Sequence, residues 1–369
     1  MIIDVLISIF AFILVISIVV FIHELGHYLI AKISGVKIEA FSIGFGKEIF
    51  GWTDKSETRW SVRMLPFGGY VQMFGDGDAS SSSKNLKLLN SMSEEDKKKS
   101  LQFKPPLVKA GVAFAGPLFN FLLAIAILIP FYSIKGTVIT KPIITEIIKN
   151  TPAEKYGFKI NDEILEIDGN EIDTFEEVQT QIALNVKDLM DFKIKRDNEI
   201  ISIQVPPITK QTKDVFGNDI RINFIGIGSG KVEYKKISIL QSIPESFKNV
   251  YDMCKSSLIS IGQIITGRRG LDGLGGPIKI AKYSGQYFKS GFAEICLFIV
   301  MISVSLGLMN LLPIPVLDGG LILICLLEFI FRKPLPEKVE KYISMCGYIV
   351  LIFLMILTTL KDTKDVIFR

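Results

Sequence analysis

Four stretches of this chain are almost wholly apolar. Val5 to Ile22 is broken only by Ser8 and Ser17, while Ala110 to Tyr132, Ile295 to Leu312 and Tyr342 to Leu360 contain no charged residue. Each reaches the roughly 18 residues that a helix needs to cross hydrocarbon, so the pattern predicts four membrane spans. The first stretch has no basic residue before it, is longer than the apolar part of a signal peptide and is not followed by a small-residue cleavage site, so it is expected to stay attached.

Between the spans the pattern changes. Arg59 to Phe74 mixes β-branched and aromatic residues around Pro66, Gly68 and Gly69, which predicts a hairpin. Gly75 to Ser100, rich in Ser, Lys, Asp and Glu, predicts a mobile loop. Beyond the second span, Glu163 to Ile172 reads as two short β pieces joined by Asp168-Gly169. Phe175 to Asn185 then reads as helix, and Asp191 to Val205 alternates as strands do. Together these predict a compact α/β module of roughly 100 residues. Ile239, Ile243, Phe247, Val250, Cys254, Leu258, Ile261 and Ile265 recur at three- and four-residue steps, predicting an amphipathic helix that lies on the membrane surface or against the module.

Composition agrees with a membrane class: 369 residues, 49% of them hydrophobic, with a mean hydropathy of +0.40. The net charge of +4 is spread along the chain and gives no nucleic-acid footprint. Cys254, Cys296, Cys325 and Cys346 form no close pair in sequence, the last three lie in apolar spans, and all four read as packing residues. Lys32, Lys37, Lys97, Lys98, Lys99 and Lys104 flank the connection after the first span, and Arg332, Lys333, Lys338 and Lys341 the one after the third. Both connections are therefore expected in the cytosol, with the N-terminus and residues 134–292 outside. Lys361, Lys364 and Arg369 at the tail point the other way and are outnumbered.

The chain contains two histidines, His23 and His27, and they flank Glu24 in His-Glu-Leu-Gly-His. Positions four apart share a helix face, so both imidazoles can bind one metal while Glu24 lies close enough to accept a proton from water. About 18 apolar residues precede the motif, placing it about 27 Å along the helix, near the cytosolic end of the span. Ionisable groups at that depth are costly and usually functional. A catalytic zinc takes three protein ligands and leaves one position open. With no third histidine, the remaining ligand must be acidic or a cysteine. Asp318, in Asn310 to Gly320 (NLLPIPVLDGG), is the best candidate, since irregular backbone at membrane depth suits a metal site; Cys325 and Glu328 are alternatives. Asn120, beside Gly111, Ala113, Ala115 and Gly116 in the second span, serves either helix packing or the active site.

These residues resemble the bacterial site-2 zinc metalloproteases, the regulator of sigma-E protease group among them. The likeness is carried by HELGH (23–27), FSIGFG (41–46), LPFGGYVQMFG (65–75), AGPLFN (115–120), GGPIKIA (275–281) and NLLPIPVLDGG (310–320), in family order along nearly the whole chain. It implies that His23, His27 and Asp318 ligate Zn2+ and that Glu24 is the general acid/base. It further implies that residues 41–74 form a membrane-reentrant β element holding the substrate strand, through Gly44, Phe45, Gly46, Gly68, Gly69 and Tyr70, and that Asn310 contacts the substrate backbone. Residues 157–172 and Phe224 to Gly228 resemble the family's circularly permuted PDZ domain. The chain departs from the pattern twice: it has room for one PDZ domain where well-known members carry two, and Leu321 stands where members often have histidine.

The expected fold is a multi-span α-helical membrane protein with four transmembrane helices, a membrane-reentrant β element and one inserted circularly permuted α/β PDZ domain. Its parts run 1–33 (first span), 34–106 (cytosolic loop with hairpin), 107–133 (second span), 134–230 (PDZ), 231–292 (amphipathic surface segment), 293–331 (broken third span) and 339–360 (fourth span). By resemblance the protein performs regulated intramembrane proteolysis in the bacterial inner membrane, with the active site near the cytosol and the PDZ domain in the periplasm. Its substrates would be single-span proteins already trimmed outside, of the anti-sigma-factor type, or remnant signal peptides; peptide C-termini at the PDZ domain and membrane lipid are further expected partners, and no nucleic acid is. The competing reading, a catalytically silent PDZ-containing adaptor, needs none of His23, Glu24, His27 and Asp318.

Overall fold

The computed structural model describes residues 2–75, 91–213, 219–229, 232–266 and 276–367. Most of the expected mobile loop, residues 76–90, and Gly275 of the GGPIKIA run lie outside the described residues. The chain starts as helix α1 (Ile2–Ile33), continues through strands β1 (Ile38–Thr53) and β2 (Arg59–Met73), and reaches helix α3 (Pro106–Lys135) by way of a short helix α2 (Glu94–Lys99). Then come β3 (Thr137–Thr140), β4 (Glu146–Ile147), α4 (Pro152–Lys155), β5 (Glu163–Ile167), β6 (Asn170–Glu171), α5 (Phe175–Ala183), β7 (Met190–Arg196) and β8 (Glu199–Val205). They are followed by β9 (Ile208–Lys213), β10 (Asp219–Phe224), β11 (Ile227–Gly228), β12 (Val232–Lys235) and α6 (Ile239–Ile265). Helices α7 (Pro277–Ser290), α8 (Phe292–Leu311), α9 (Asp318–Phe331) and α10 (Glu337–Ile367) close the chain. It divides into two compact units, Met1–Ile127 with Gly275–Arg369, and Leu128–Leu274.

Among the described residues, four helical stretches are long and apolar enough to cross a membrane: Ile3–Ile33, Pro106–Lys135, Phe292–Leu311 and Lys341–Thr363. The α3 stretch runs on into the second unit. Side chains such as Ile3, Leu6, Phe10, Ile349 and Phe353 are exposed on these helices, as a lipid-facing surface requires. Between α8 and α9 the chain turns at 312–317. Pro313 and Pro315 supply no N–H there, and Val316 sits at φ 85°, a left-handed conformation that is strained for a β-branched residue. Gly319 and Gly320 let α9 start against that turn: a Cβ on Gly319 would lie 2.3 Å from the Leu311 and Leu312 oxygens, and one on Gly320 2.4 Å from the Ile314 oxygen. Gly347 of α10 presses on Pro315, where a Cβ would meet the carbonyl oxygen at 2.2 Å.

The hairpin turn differs from the sequence reading. It falls at Asp54–Thr58, where Asp54 accepts from the Ser56 and Thr58 amides, and not at Pro66–Gly69. Residues 59–73 instead form one long bent strand. Ala40, Phe41, Ser42 and Ile43 lie opposite both Arg59–Val62 and Gly69–Gln72, so the first half of β1 is interior and 69–73 forms an edge. Phe41 stacks on Trp60 at 4.4 Å and packs with Tyr28, Ala31 and Met73, fixing the sheet to the end of α1. Part of the expected loop is also ordered: Glu94–Lys99 is helical, with Ser93 accepting from the Asp96 amide.

At the distal end of α10, Asp362 is fully buried. It accepts from the amides of Gly276 (3.2 Å) and Lys279 (3.0 Å) at the start of α7, and the Lys279 ammonium lies 3.8 Å away. The far end of α7 packs on α1, with Phe288 edge-on to Phe10 at 5.7 Å.

The second unit centres on a sheet of order β6-β5-β7-β8. Met190, Phe192 and Ile194 alternate inward from β7 and meet Ile164, Ile167, Val178 and Ile225 in one core. A capping box between Thr174 and Glu177 starts α5. Arg196 grips the buried Asp162 with two bonds of 2.7 Å. Arg196→Ala is expected to cost this unit roughly 3–5 kcal/mol, because it leaves a buried carboxylate without its partner. Denaturant titration of the intact protein checks this, and a loss below about 1 kcal/mol would put the pair among ordinary surface bridges.

Of the two placements open for the apolar stripe of α6, against the module or turned away from it, the structure has the second. Ser242, Ser246, Val250 and Gln263 are buried, whereas Leu240, Ile243, Phe247, Tyr251, Leu258 and Ile265 are exposed. Gln263 donates to the Leu184 carbonyl (2.9 Å) and Lys248 pairs with Glu177 (3.0 Å), so the polar side of α6 is the one that meets the module.

Candidate metal centre

On α1, His23 and His27 stand one turn apart, their ring centroids separated by 4.8 Å. Helix α3 crosses beside them with three residues of one face, Val112, Gly116 and Asn120. The His27 Nδ1–H donates to the Val112 carbonyl at 2.8 Å, which leaves Nε2 with its lone pair. Asn120 Nδ2 lies 3.2 Å from His23 Nδ1. Gly116 provides the room between these contacts: a Cβ there would come within 2.3 Å of His27 Nε2 and 2.7 Å of His23 Cε1. The approach of the two helices is equally tight at Gly26, whose Cβ would sit 2.3 Å from the Ala115 oxygen.

Helix α9 supplies the carboxylate. Asp318 Oδ2 lies 3.2 Å from His23 Nε2, Asp318 Oδ1 3.5 Å from His27 Nε2, and the two Nε2 atoms are 3.2 Å apart. Tetrahedral ligands at zinc bond lengths of about 2.05 Å are about 3.3 Å from one another, so the spacing suits that ion. Two further observations agree. Asp318 Oδ2 is buried without a hydrogen bond, and both histidines direct Nε2 to the same point. Among the described residues, these three form the group able to hold a metal. Cys325 and Glu328 are not part of it; Glu328 lies 3.7 Å from Lys109.

Asn310, in the last turn of α8, places Nδ2 3.4 Å from His23 Nε2. Glu24 faces the sheet edge: a Cβ on Gly69 would lie 3.1 Å from Glu24 Cγ and 3.0 Å from Val20 Cγ1. The other hairpin residues singled out in the sequence gather around the bend. Gly44 and Gly46 have φ of 86° and 83°, Gly68 (φ 103°) abuts Phe45, and Phe45 stacks on Tyr70 with ring centroids 6.1 Å apart. Sequence reasoning passed over Val112 and gave Gly116 only a packing role. Their signal was the four-residue step that leads to Asn120.

A His-Glu-x-x-His pair completed by a carboxylate, all carried on apolar helices, defines a membrane metallohydrolase. A sequence model of Peptidase family M50 matches residues 11–354. Three relatives share the name "Putative zinc metalloprotease". One, from Agrobacterium fabrum, is 35% identical over 360 residues, covering 96% of this chain and 95% of its own. Another, from Rickettsia conorii, is 37% identical over 365 residues (98% and 99%), and a third, from Clostridium perfringens, 35% over 347 residues (94% and 95%). The chain belongs to peptidase family M50, the site-2 proteases, and is a zinc metalloendopeptidase of the membrane.

Proposed function

We propose that His23, His27 and Asp318 hold the zinc, that Glu24 is the general acid/base, and that the enzyme cleaves single-span segments within the membrane. The observation that carries this reading is the edge at Gly69–Met73, which passes directly over Glu24 beside the three-donor cluster. A substrate helix shows no free backbone to a protease. Once unwound, its amides need partners inside the bilayer, and an edge strand offers them. Gly69 keeps side-chain bulk out of that contact. Asn310 is placed to bond the substrate backbone, and Gly44, Phe45, Gly46, Gly68 and Tyr70 set the bend that holds the edge. His23, His27 and Asp318 would hold the zinc, which would supply a Lewis acid for the scissile carbonyl and make water more acidic. Glu24 takes the proton from that water and delivers it to the departing amine.

The reading extends to the surroundings. The exposed apolar patch on the hairpin, Ile49, Phe50, Trp52, Met64 and Leu65, suits a membrane-reentrant β element. The second unit serves as one circularly permuted PDZ domain, with Phe224–Gly228 as its peptide-facing strand and loop. Peptide C-termini would dock there, and it admits only substrates already trimmed on that side. The outward apolar face of α6, with Leu240, Phe247, Tyr251 and Leu258 exposed, suits contact with lipid. The basic flanks Lys97–Lys104 and Arg332–Lys341 support a reading with the metal near the cytosol and this unit in the periplasm of a bacterial inner membrane. Trimmed anti-sigma-factor-type proteins and remnant signal peptides are then the substrates of regulated intramembrane proteolysis.

The test uses purified zinc-loaded protein in proteoliposomes with one single-span substrate presented with and without its outer domain. Cleavage of the trimmed form alone, lost on zinc chelation, is the expected result. Equal cleavage of both forms removes the filter from the proposal, and cleavage of neither, across a panel that includes signal peptides, removes the substrate class.

A further inference from the structure

We infer that Asn120 is a positioning residue for the metal centre, acting as the hydrogen-bond acceptor that keeps the proton of His23 on Nδ1. The inference rests on the zinc reading above and goes beyond it. Asn120 is fully buried, and its two amide atoms are used unequally: Nδ2 faces His23 Nδ1 at 3.2 Å, while Oδ1 has no partner. Nε2 of His23 is the atom that faces His27 and Asp318. A histidine that gives Nε2 to a metal must carry its proton on Nδ1. Two donors, Nδ1–H and Nδ2–H, would then oppose each other at hydrogen-bond distance. A half-turn about the Cβ–Cγ bond exchanges the two atoms at almost no steric cost. Oδ1 then accepts from Nδ1–H, and the buried oxygen gains the partner it lacks.

The surroundings hold Asn120 for this role. Its backbone carbonyl accepts from the Ser303 hydroxyl of α8 at 2.8 Å. Gly307, one turn further along α8, lets that helix close in, since a Cβ there would lie 3.2 Å from Asn120 Cβ and 3.1 Å from the Pro117 oxygen. The result is symmetrical: α3 presents the Val112 carbonyl to His27 and, eight residues on, the Asn120 amide to His23. Each imidazole has its own acceptor behind it, and each is left with Nε2 for the metal.

The role separates from packing because it demands an acceptor and not a donor. Asn120→Asp keeps the acceptor and the shape but cannot donate, whereas Asn120→Leu keeps only the shape. Zinc affinity of the purified, chelator-stripped full chain is measured by competition against a fluorescent chelator, with the absorption spectrum of the cobalt-loaded protein as a second readout of ligand geometry. Asn120→Leu is expected to bind zinc about 10–100-fold more weakly, while Asn120→Asp stays within about threefold of wild type with an unchanged cobalt spectrum. Zinc affinity in Asn120→Asp as poor as in Asn120→Leu would show that donation or packing is what matters, and would overturn the inference. So would wild-type affinity in Asn120→Leu. If Asn120→Leu does not fold, the smaller Asn120→Ala, which also lacks the acceptor, takes its place, and wild-type zinc affinity in it would overturn the inference. A wild-type protein that binds no zinc would sink the ligand assignment itself, an outcome distinct from zinc-replete wild type with indifferent variants.

Discussion

Glu24→Gln is expected to leave the protein folded and zinc-loaded while lowering turnover by about 10²–10⁴-fold. The amide matches the carboxylate in size and still fits against Gly69, yet it cannot accept a proton from water. The two histidines and Asp318, which place their donor atoms within 4.8 Å of one another, are untouched by the change. Metal content by mass spectrometry and cleavage of a single-span substrate, measured on the same preparation, check both halves. Retained activity would move the proton-transfer role to another group, and lost zinc would make Glu24 a structural support of the site.

Gly116→Ala is the second large effect, and it is a steric one. A single methyl at that position must share space with His27 Nε2, 2.3 Å away, and with His23 Cε1, 2.7 Å away. Either α3 withdraws from α1, breaking the bond from His27 to the Val112 carbonyl, or the imidazoles rotate away from Asp318. Both outcomes dismantle the ligand geometry, so zinc affinity and cleavage should fall together by about 100-fold or more, beyond the 10–100-fold that follows from losing one outer partner. Gly111 on the same helix provides the control, because a Cβ there meets nothing within 4 Å. Gly111→Ala should bind zinc as the wild type does and be slightly more stable, by a few tenths of a kcal/mol up to about 1 kcal/mol. Equal behaviour of the two variants would contradict the packing of α3 on the histidines.

The reasons these features were or were not visible in the sequence differ from element to element. Hydrocarbon excludes charge over the full length of a span, so the four membrane helices are written as long uncharged runs. The break before α9 is also legible, because the missing N–H of Pro313 and Pro315 leaves little choice but a turn. Asp318 stands out in the sequence over Cys325 and Glu328 because of the broken backbone around it, and the three-dimensional turn is what brings it beside the histidines. The hairpin was misplaced for a definite reason: Gly68 and Gly69 look like turn residues, yet here they serve a bend and a close approach to Glu24. The true turn was present in Asp54-Lys55-Ser56-Glu57-Thr58, where an aspartate that can bond the amides two and four residues on is a recognisable signal. The three-to-four-residue period of α6 was readable, but a period does not say which face a helix turns inward. Gly116 shows a further limit, since the need for glycine comes from a neighbour 89 positions away in sequence, His27, that no local pattern names.

Asp362 carries a consequence for how the molecule is put together. It closes the start of α7 from the far end of α10, so a helix at residues 277–290 stays without this acceptor until the last span has been synthesised and inserted. Until then the Gly276 and Lys279 amides lack the Asp362 carboxylate that accepts from them, and α7 has less reason to lie against α1. Assembly of the first unit is in this sense a late event that waits on the ribosome. A chain stopped just before Asp362 would retain His23, Glu24, His27 and Asp318, yet it would carry on the flank of α1 a helix whose first amides have lost this carboxylate.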